Sequence, residues 1–323
     1  MGQVETFLGP VDASELGATL MHEHIFVRDL ELERNFPNPE WNESGAIERA
    51  VRGLAALHAL GIRTVVDLTV LGLGRDVRLV AAVAERSPVQ LVASTGYYVD
   101  QALPLWFRFH GPGKLVGGPD PLVEFFVRDI EEGIGGTTLK AGMLKVMSAP
   151  SGITDDVARV MSAAAVAHER TGVPITTHSD PHSRNGLEQQ AFLRNRGVSL
   201  ERVIVGHSGD SDDLDYLCRV MDAGSTIGLD RFGMDHVLPD DRRVRTVLDL
   251  LERGYADRMI LSHDAAFFSH VTPPLWRARE APRWHMENIP HRILPMLRDG
   301  GASEAQVEQL LVANPRRLLE RGG

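Results

Sequence analysis

Lysine is nearly missing from this chain. Three lysines, Lys114, Lys140 and Lys145, stand against 31 arginines, so where a positive charge alone suffices the sequence uses arginine. Cysteine is scarcer still. Cys218 is alone, which excludes an internal disulfide and suits a reducing, cytoplasmic compartment. No apolar run reaches the ~18 residues that span a bilayer, and no basic segment precedes an apolar one at the N-terminus, so neither a membrane anchor nor a secretory signal is expected. Met1-Gly2-Gln3-Val4-Glu5-Thr6 matches the permissive myristoylation pattern, which we read as chance because the residues after it resemble ordinary folded chain. An excess of positive charge is missing too. With 34 basic and 44 acidic residues, a net charge of −10 and no basic stripe, a nucleic-acid partner is not expected. Linkers, low-complexity tracts and internal repeats are absent, and 323 residues are expected to form one domain, 1–323.

What is present is an alternation. Eight apolar runs read as buried strands, at 18–24, 64–68, 90–95, 142–147, 174–178, 203–207, 225–230 and 259–264. Helical stretches are expected at 45–60, 76–85, 121–134, 155–170, 187–196, 214–223, 242–253 and 284–298. Gly61, Gly172, Gly197, Gly224 and Gly254 each follow such a stretch, where a left-handed cap belongs. The pattern is that of an α/β protein with a (β/α)8 TIM barrel, an open doubly wound sheet being the alternative. The Gly72-x-Gly74 after the second strand lacks a third glycine and reads as a plain loop.

The strand ends carry the chemistry. The first holds His22 and His24, on one face of a strand by its period of two. The fourth carries Lys145, the fifth ends in His178, the sixth in His207 and the eighth in Asp264. A barrel brings all these ends to one mouth. A lysine buried in Met143-Leu144-Lys145-Val146-Met147 has a lowered pKa and a nucleophilic nitrogen. Two chemistries use it: a Schiff base with a carbonyl substrate, or a carbamate with carbon dioxide, which is a carboxylate able to bridge two metal ions. The surrounding histidines favour the second.

The stretches Met21-His22-Glu23-His24, Lys140-Ala141-Gly142-Met143-Leu144-Lys145, Thr177-His178-Ser179, Gly186-Leu187-Glu188-Gln189-Gln190, Gly206-His207-Ser208-Gly209-Asp210, Gly228-Leu229-Asp230-Arg231-Phe232-Gly233, Leu261-Ser262-His263-Asp264 and Asn314-Pro315 resemble the phosphotriesterase-like lactonases of the binuclear amidohydrolase superfamily, nearly end to end. The resemblance implies two divalent ions per chain. One is held by His22, His24 and Asp264 and the other by His178 and His207, with Lys145 as N6-carboxylysine and a hydroxide bridging both. Zinc, cobalt, iron and manganese all suit the ligand set. The resemblance also implies a homodimer, with the apolar rim segment 98–109 a fitting contact.

For the substrate, the resemblance points to Tyr97, where lactonases of the group carry tyrosine and dedicated phosphotriesterases tryptophan, and to Arg231 in its lactonase-type loop. The long stretch after the eighth strand, with Phe267, Phe268 and Trp276, suits an acyl-chain channel or an apolar contact between subunits. Two departures stand out: Ala265 and Ala266 after Asp264, and Ser148-Ala149-Pro150 after Lys145, where relatives carry an aromatic with cysteines and an acidic residue. The expectation is a metal-dependent lactonase acting on N-acyl-homoserine lactones, a quorum-quenching activity, with weak phosphotriesterase turnover. Asp264 would move the proton, and Tyr97 and Arg231 would orient the lactone. The alternatives are the same chemistry on simple aliphatic lactones or organophosphates, a metal-free aldolase using Lys145, and a non-catalytic binding protein.

Overall fold

Runs of buried apolar and β-branched residues alternate with amphipathic stretches, and in a computed structural model, which describes residues 2–100 and 102–320, they build a (β/α)8 TIM barrel. A hairpin of β1 (Gln3–Thr6) and β2 (Gly9–Asp12) opens the chain. The barrel strands are β3 (Ala18–Val27), β4 (Ile62–Asp67), β5 (Gln90–Gly96), β6 (Ala141–Met147), β7 (Ile175–His178), β8 (Val203–Gly206), β9 (Thr226–Leu229) and β10 (Met259–Leu261), all parallel and paired in chain order. The helices that follow them are α1 (Glu43–Ala59), α2 (Val77–Ala84), α3 (Pro121–Glu131), α4 (Asp155–Thr171), α5 (Asn185–Arg194), α6 (Leu214–Asp222), α7 (Asp240–Glu252) and α8 (Leu294–Asp299).

Local chemistry sets the helix ends. Asn42, Asp76, Asp120 and Asp213 each accept a backbone N–H in the first turn of α1, α2, α3 and α6, satisfying donors that a helix leaves free. All five glycines expected at helix exits have positive φ, and Gly172 is the left-handed cap of α4.

The structure departs from the sequence pattern at the closing end. The stretch after the eighth strand is not simply a loop: β11 (Ala266–Ser269) runs parallel to β3, pairing Ala266 with His24 and Phe268 with Phe26. Asp264 N donates to His22 O (3.0 Å) and His24 N to Ala265 O (2.8 Å), so the segment closes the cylinder. A three-residue β10 is too short to cover the whole edge of β3, and an uncovered edge in a barrel is costly. The helix expected from residue 284 starts late, through a wide π-turn at Ile289–Ile293 that leads into α8. Pro290 has no N–H to bond backwards and so belongs at such a start. A further helical stretch over residues 304–319, not read from the sequence, begins at a Ser303–Gln306 capping box.

Met21, Val66, Leu68, Val92, Met143, Ile204 and Ile260 fill the barrel interior, joined by Val4, Leu16, Leu318 and Leu319. A larger apolar shell lies between strands and helices. Because the interior is packed, the mouth at the C-terminal strand ends is where functional groups gather. No helix among the described residues is long and apolar enough to cross a membrane. In the rim segment expected to mediate dimerisation, Leu105, Trp106 and Phe109 are exposed, while Gln101 lies outside the described residues.

Candidate metal centre

A bulge between Leu20 and Glu23 re-phases β3, so that Met21 stays in the interior while His22 and His24 both face the mouth. Lys145, on β6, is buried and in register with Gly96 of β5. A Cβ at Gly96 (φ 142°) would overlap the Lys145 carbonyl oxygen, so only glycine lets the two strands meet there. His178 ends β7. His207 follows β8 with φ 59°, and Asp264 lies beyond β10 with φ 54°. A left-handed backbone costs an ordinary residue roughly 1–2 kcal/mol, and in this mouth it falls on two of the residues expected to bind metal.

The six expected ligands converge. His24 Nε2 lies 3.1 Å and His22 Nε2 3.4 Å from Asp264 Oδ1. His22 Nε2 is 3.3 Å from Lys145 Nζ, and His207 Nε2 is 2.9 Å from His178 Nδ1. Behind the rings, Asp230 faces His22 Nδ1 at 2.7 Å with one oxygen, and His207 Nδ1 at 3.1 Å with the other. An ionised carboxylate only accepts, so both Nδ1 atoms carry the proton and both Nε2 lone pairs point into the mouth. At His24 a hydroxyl does the same: Thr69 Oγ1 donates to Asp67 Oδ1 (2.6 Å) and therefore accepts from His24 Nδ1 (2.9 Å).

Burial pushes the pKa of His22 down, and those of His178 and His207 well down, which leaves neutral rings. Burial lowers Lys145 to about 8, which makes the free amine more accessible near neutral pH than in an exposed lysine. Burial alone would raise Asp264, but His22, His24 and Arg231 outweigh it and hold the carboxyl well below its usual range. With their Nδ1 atoms turned to Asp230 and Thr69, His22 and His24 present Nε2 to the Asp264 carboxylate. The three ligand atoms lie within 4.8 Å of one another, and two imidazoles with one carboxylate are a donor set that a divalent ion accepts. His22, His207 and Asp230 are equally close, but there protons fill the gaps. The first set fits a divalent ion and the second does not.

Arg231 Nε donates to Asp264 Oδ2 (3.0 Å) and Nη1 to Asp210 Oδ2 (2.8 Å), and Asp210 also holds Arg243 (2.8 Å). Burial would lower the Arg231 pKa, but Asp264 and Asp210 raise it. It is a charged clamp on Asp264 as well as a wall residue.

A cavity of about 410 Å³ opens on this cluster, walled by Val27, Leu73, Met234, Val237, Val271 and Trp284. Tyr97 does not reach it. Its ring packs edge-on against Phe107 at 5.5 Å in the outer layer. Tyr98 stands in the wall instead, 5.5 Å from the His178 ring, its hydroxyl pushed up to about 12 by burial and by Asp264. The reason is strand alternation: Val92 faces the interior, whereas Thr95 bonds Asp129 of α3 at 2.7 Å, so even-numbered residues of this strand point in. Phe267 and Phe268 miss the cavity as well. Phe268 is buried against Trp41, ring centroids 4.6 Å apart, and Phe267 sits over Gly53 of α1. Pairing of β11 with β3 leaves Ala266, Ser269, Val271 and Thr272 to line the cavity. Trp276 is 37% exposed and stands behind His236, a wall residue, at 6.3 Å. Trp284, Asp230, Thr69 and Asp210 are given no role by the sequence reading. Alternation along β5 would have selected Tyr98, and Asp230 lies inside the motif around Arg231; Trp284 carries no such signal.

The model of the family described as Phosphotriesterase family matches residues 2–319. The chain is 42% identical to a phosphotriesterase homology protein from Mycobacterium tuberculosis over 323 residues, 100% of this chain and 99% of that protein. It is 38% identical to an aryldialkylphosphatase from Saccharolobus solfataricus over 311 residues, 96% of each. The solved structure of the phosphotriesterase from Mycobacterium tuberculosis superposes with a TM-score of 0.96 at 42% identity, covering 99% of this chain and 98% of that one.

Proposed function

The chain belongs to the phosphotriesterase family of hydrolases, enzymes that act on esters, and from that premise we propose that it is a metal-dependent lactonase whose main substrates are N-acyl-homoserine lactones, with weak phosphotriesterase turnover. The cavity wall carries this reading. It is largely apolar, and Tyr98 and Arg231 line it beside the ligand cluster, an arrangement suited to a neutral ring ester with an aliphatic tail.

Two divalent ions, one held by His22, His24 and Asp264 and one by His178 and His207 with carboxylated Lys145 shared, would polarise the ester oxygen and acidify the attacking water. Asp264, ionised and steadied by Arg231, takes the proton of that water and returns it to the ring oxygen as the ring opens. Tyr98, rather than Tyr97, donates from its protonated hydroxyl to a lactone oxygen. Asp230 and Thr69 keep the imidazoles in the tautomer that faces the mouth. The apolar wall orders the acyl chain and excludes bulk water.

The test is a panel of acyl-homoserine lactones of graded length, plain lactones and paraoxon, assayed on metal-loaded protein. Each buried methylene contributes up to about 0.8 kcal/mol, so kcat/KM rises with chain length until the groove is full, and paraoxon trails. A length-independent profile would remove the support for an acyl groove. A preference for paraoxon would favour the second reading, an organophosphate hydrolase, which the aryldialkylphosphatase relative supports. Borohydride trapping of a substrate adduct on Lys145 would mean an aldolase.

A further inference from the structure

Glu23 stands between the two histidines of β3 and takes no part in the cavity wall. It is fully buried, and no arginine or lysine among the described residues pairs with it; its one ion-pair partner is His263. A carboxylate in such a place is costly unless it is fully hydrogen-bonded. It is, and every donor comes from one short segment. Glu23 Oε1 accepts from Ser262 Oγ (2.8 Å), His263 N (2.9 Å) and His263 Nδ1 (2.6 Å), and Oε2 accepts from Ala265 N (3.0 Å). The residue skipped is Asp264, the member of the segment that lines the cavity and has a left-handed backbone.

The same segment is tied on its other sides. Ser262 Oγ accepts from His22 N (2.9 Å). His263 Nε2 accepts from Ile289 N (3.0 Å), which places the ring proton on Nδ1, facing Glu23. The His263 carbonyl accepts from the indole N–H of Trp284 (2.9 Å) in the cavity wall. Residues 22–24 thus supply two imidazoles to the mouth and, on the opposite face, a carboxylate that grips the backbone on both sides of Asp264.

We propose that Glu23 is a positioning residue for the metal centre: by holding residues 262, 263 and 265 it keeps Asp264 left-handed, with its carboxylate between His22 and His24. The inference rests on the metal reading of the mouth and is independent of which ester is cleaved.

Glu23→Gln tests it with little change of volume, because one oxygen becomes an amide nitrogen that must face either the Ala265 N–H or the three donors on Oε1. Cobalt(II) is the probe, its visible absorption reporting coordination and chelator competition its affinity. Hydrogen exchange over residues 262–266 of the metal-free protein is the readout that needs no ion. The expected result is a native circular-dichroism spectrum, faster exchange in that segment, cobalt held about 10- to 100-fold more weakly at one of two positions with an altered band, and kcat reduced at nearly unchanged KM. Glu23→Asp, which keeps the charge but falls short of the segment, gives an intermediate loss and carries the test if Glu23→Gln does not fold. Wild-type exchange and cobalt affinity in a folded variant, or collapse of both variants, would overturn the inference. A wild-type protein that binds no cobalt would overturn the metal reading and this inference together, which separates the two failures.

Discussion

The floor of the mouth and its wall are built by different means. On the floor, His22 and His207 are backed by Asp230, His24 by Thr69 and Asp67, and Asp264 by Arg231. All but Asp264, His178 and Arg231, which are partly exposed, are buried side chains at or beside strand ends. Most of the wall comes from loops and the seam strand, and its members include Val271, 78% exposed, and Val237, 40% exposed. Rings whose unused nitrogens are hydrogen-bonded cannot turn, whereas a half-solvated valine on a loop can be exchanged at little cost. On the proposed function, the ester chemistry is assigned to the floor and the choice of ester to the wall.

Substitutions on either side test that division, and their expected effects on turnover fall in order. Lys145→Ala removes the one amine on the floor. It should abolish most turnover, beyond the about 10- to 100-fold typical of an outer partner, and reduce bound metal from two ions per chain, as elemental analysis would show; unchanged metal content and rate would refute the role. Tyr98→Phe deletes the hydroxyl of a residue that lines the cavity. A hydrogen bond of about 0.5–1.5 kcal/mol predicts a roughly 2- to 10-fold fall in kcat/KM, while Tyr97→Phe stays near wild type. Steady-state kinetics showing the reverse order would return the role to Tyr97. Phe268→Ala should leave the acyl-length profile unchanged. Its expected cost is stability, about 3–5 kcal/mol by chemical denaturation, since the ring is buried against Trp41. A changed length preference would place this ring in substrate binding after all.

The barrel was legible in the sequence because a buried parallel strand is a dense apolar run and a surface helix is amphipathic, two periods that do not mimic each other. The convergence of the six expected ligands was legible because polar side chains interrupt such runs, most of them at or near the end and Lys145 inside its run. Legibility failed where the period was disturbed. Tyr97 and Tyr98 are chemically equivalent neighbours, and only the phase of Val92 and Thr95 separates them. Phe267 and Phe268 sit in a strand that exists because β3 needs a partner, a tertiary demand that no local pattern records. Glu23 looks like the spacer of a two-histidine motif, since its four donors lie some 240 positions away in the chain.

Because the seam runs between β3 and the segment holding Asp264, the earliest and latest donors in the chain are neighbours in space. A polypeptide leaving the ribosome N-terminus first carries His22, His24, Lys145, His178 and His207 before Asp264 has been made, yet the three-donor set of His22, His24 and Asp264 cannot exist until the seam zips. Completion of that set is therefore a late event in biogenesis. A chain cut short before residue 264 keeps most of the barrel's apolar sequence and an unpaired β3 edge, the feature that edge-to-edge aggregation uses. Truncated products should differ from the finished protein first in how they aggregate, before any difference in catalysis can be measured.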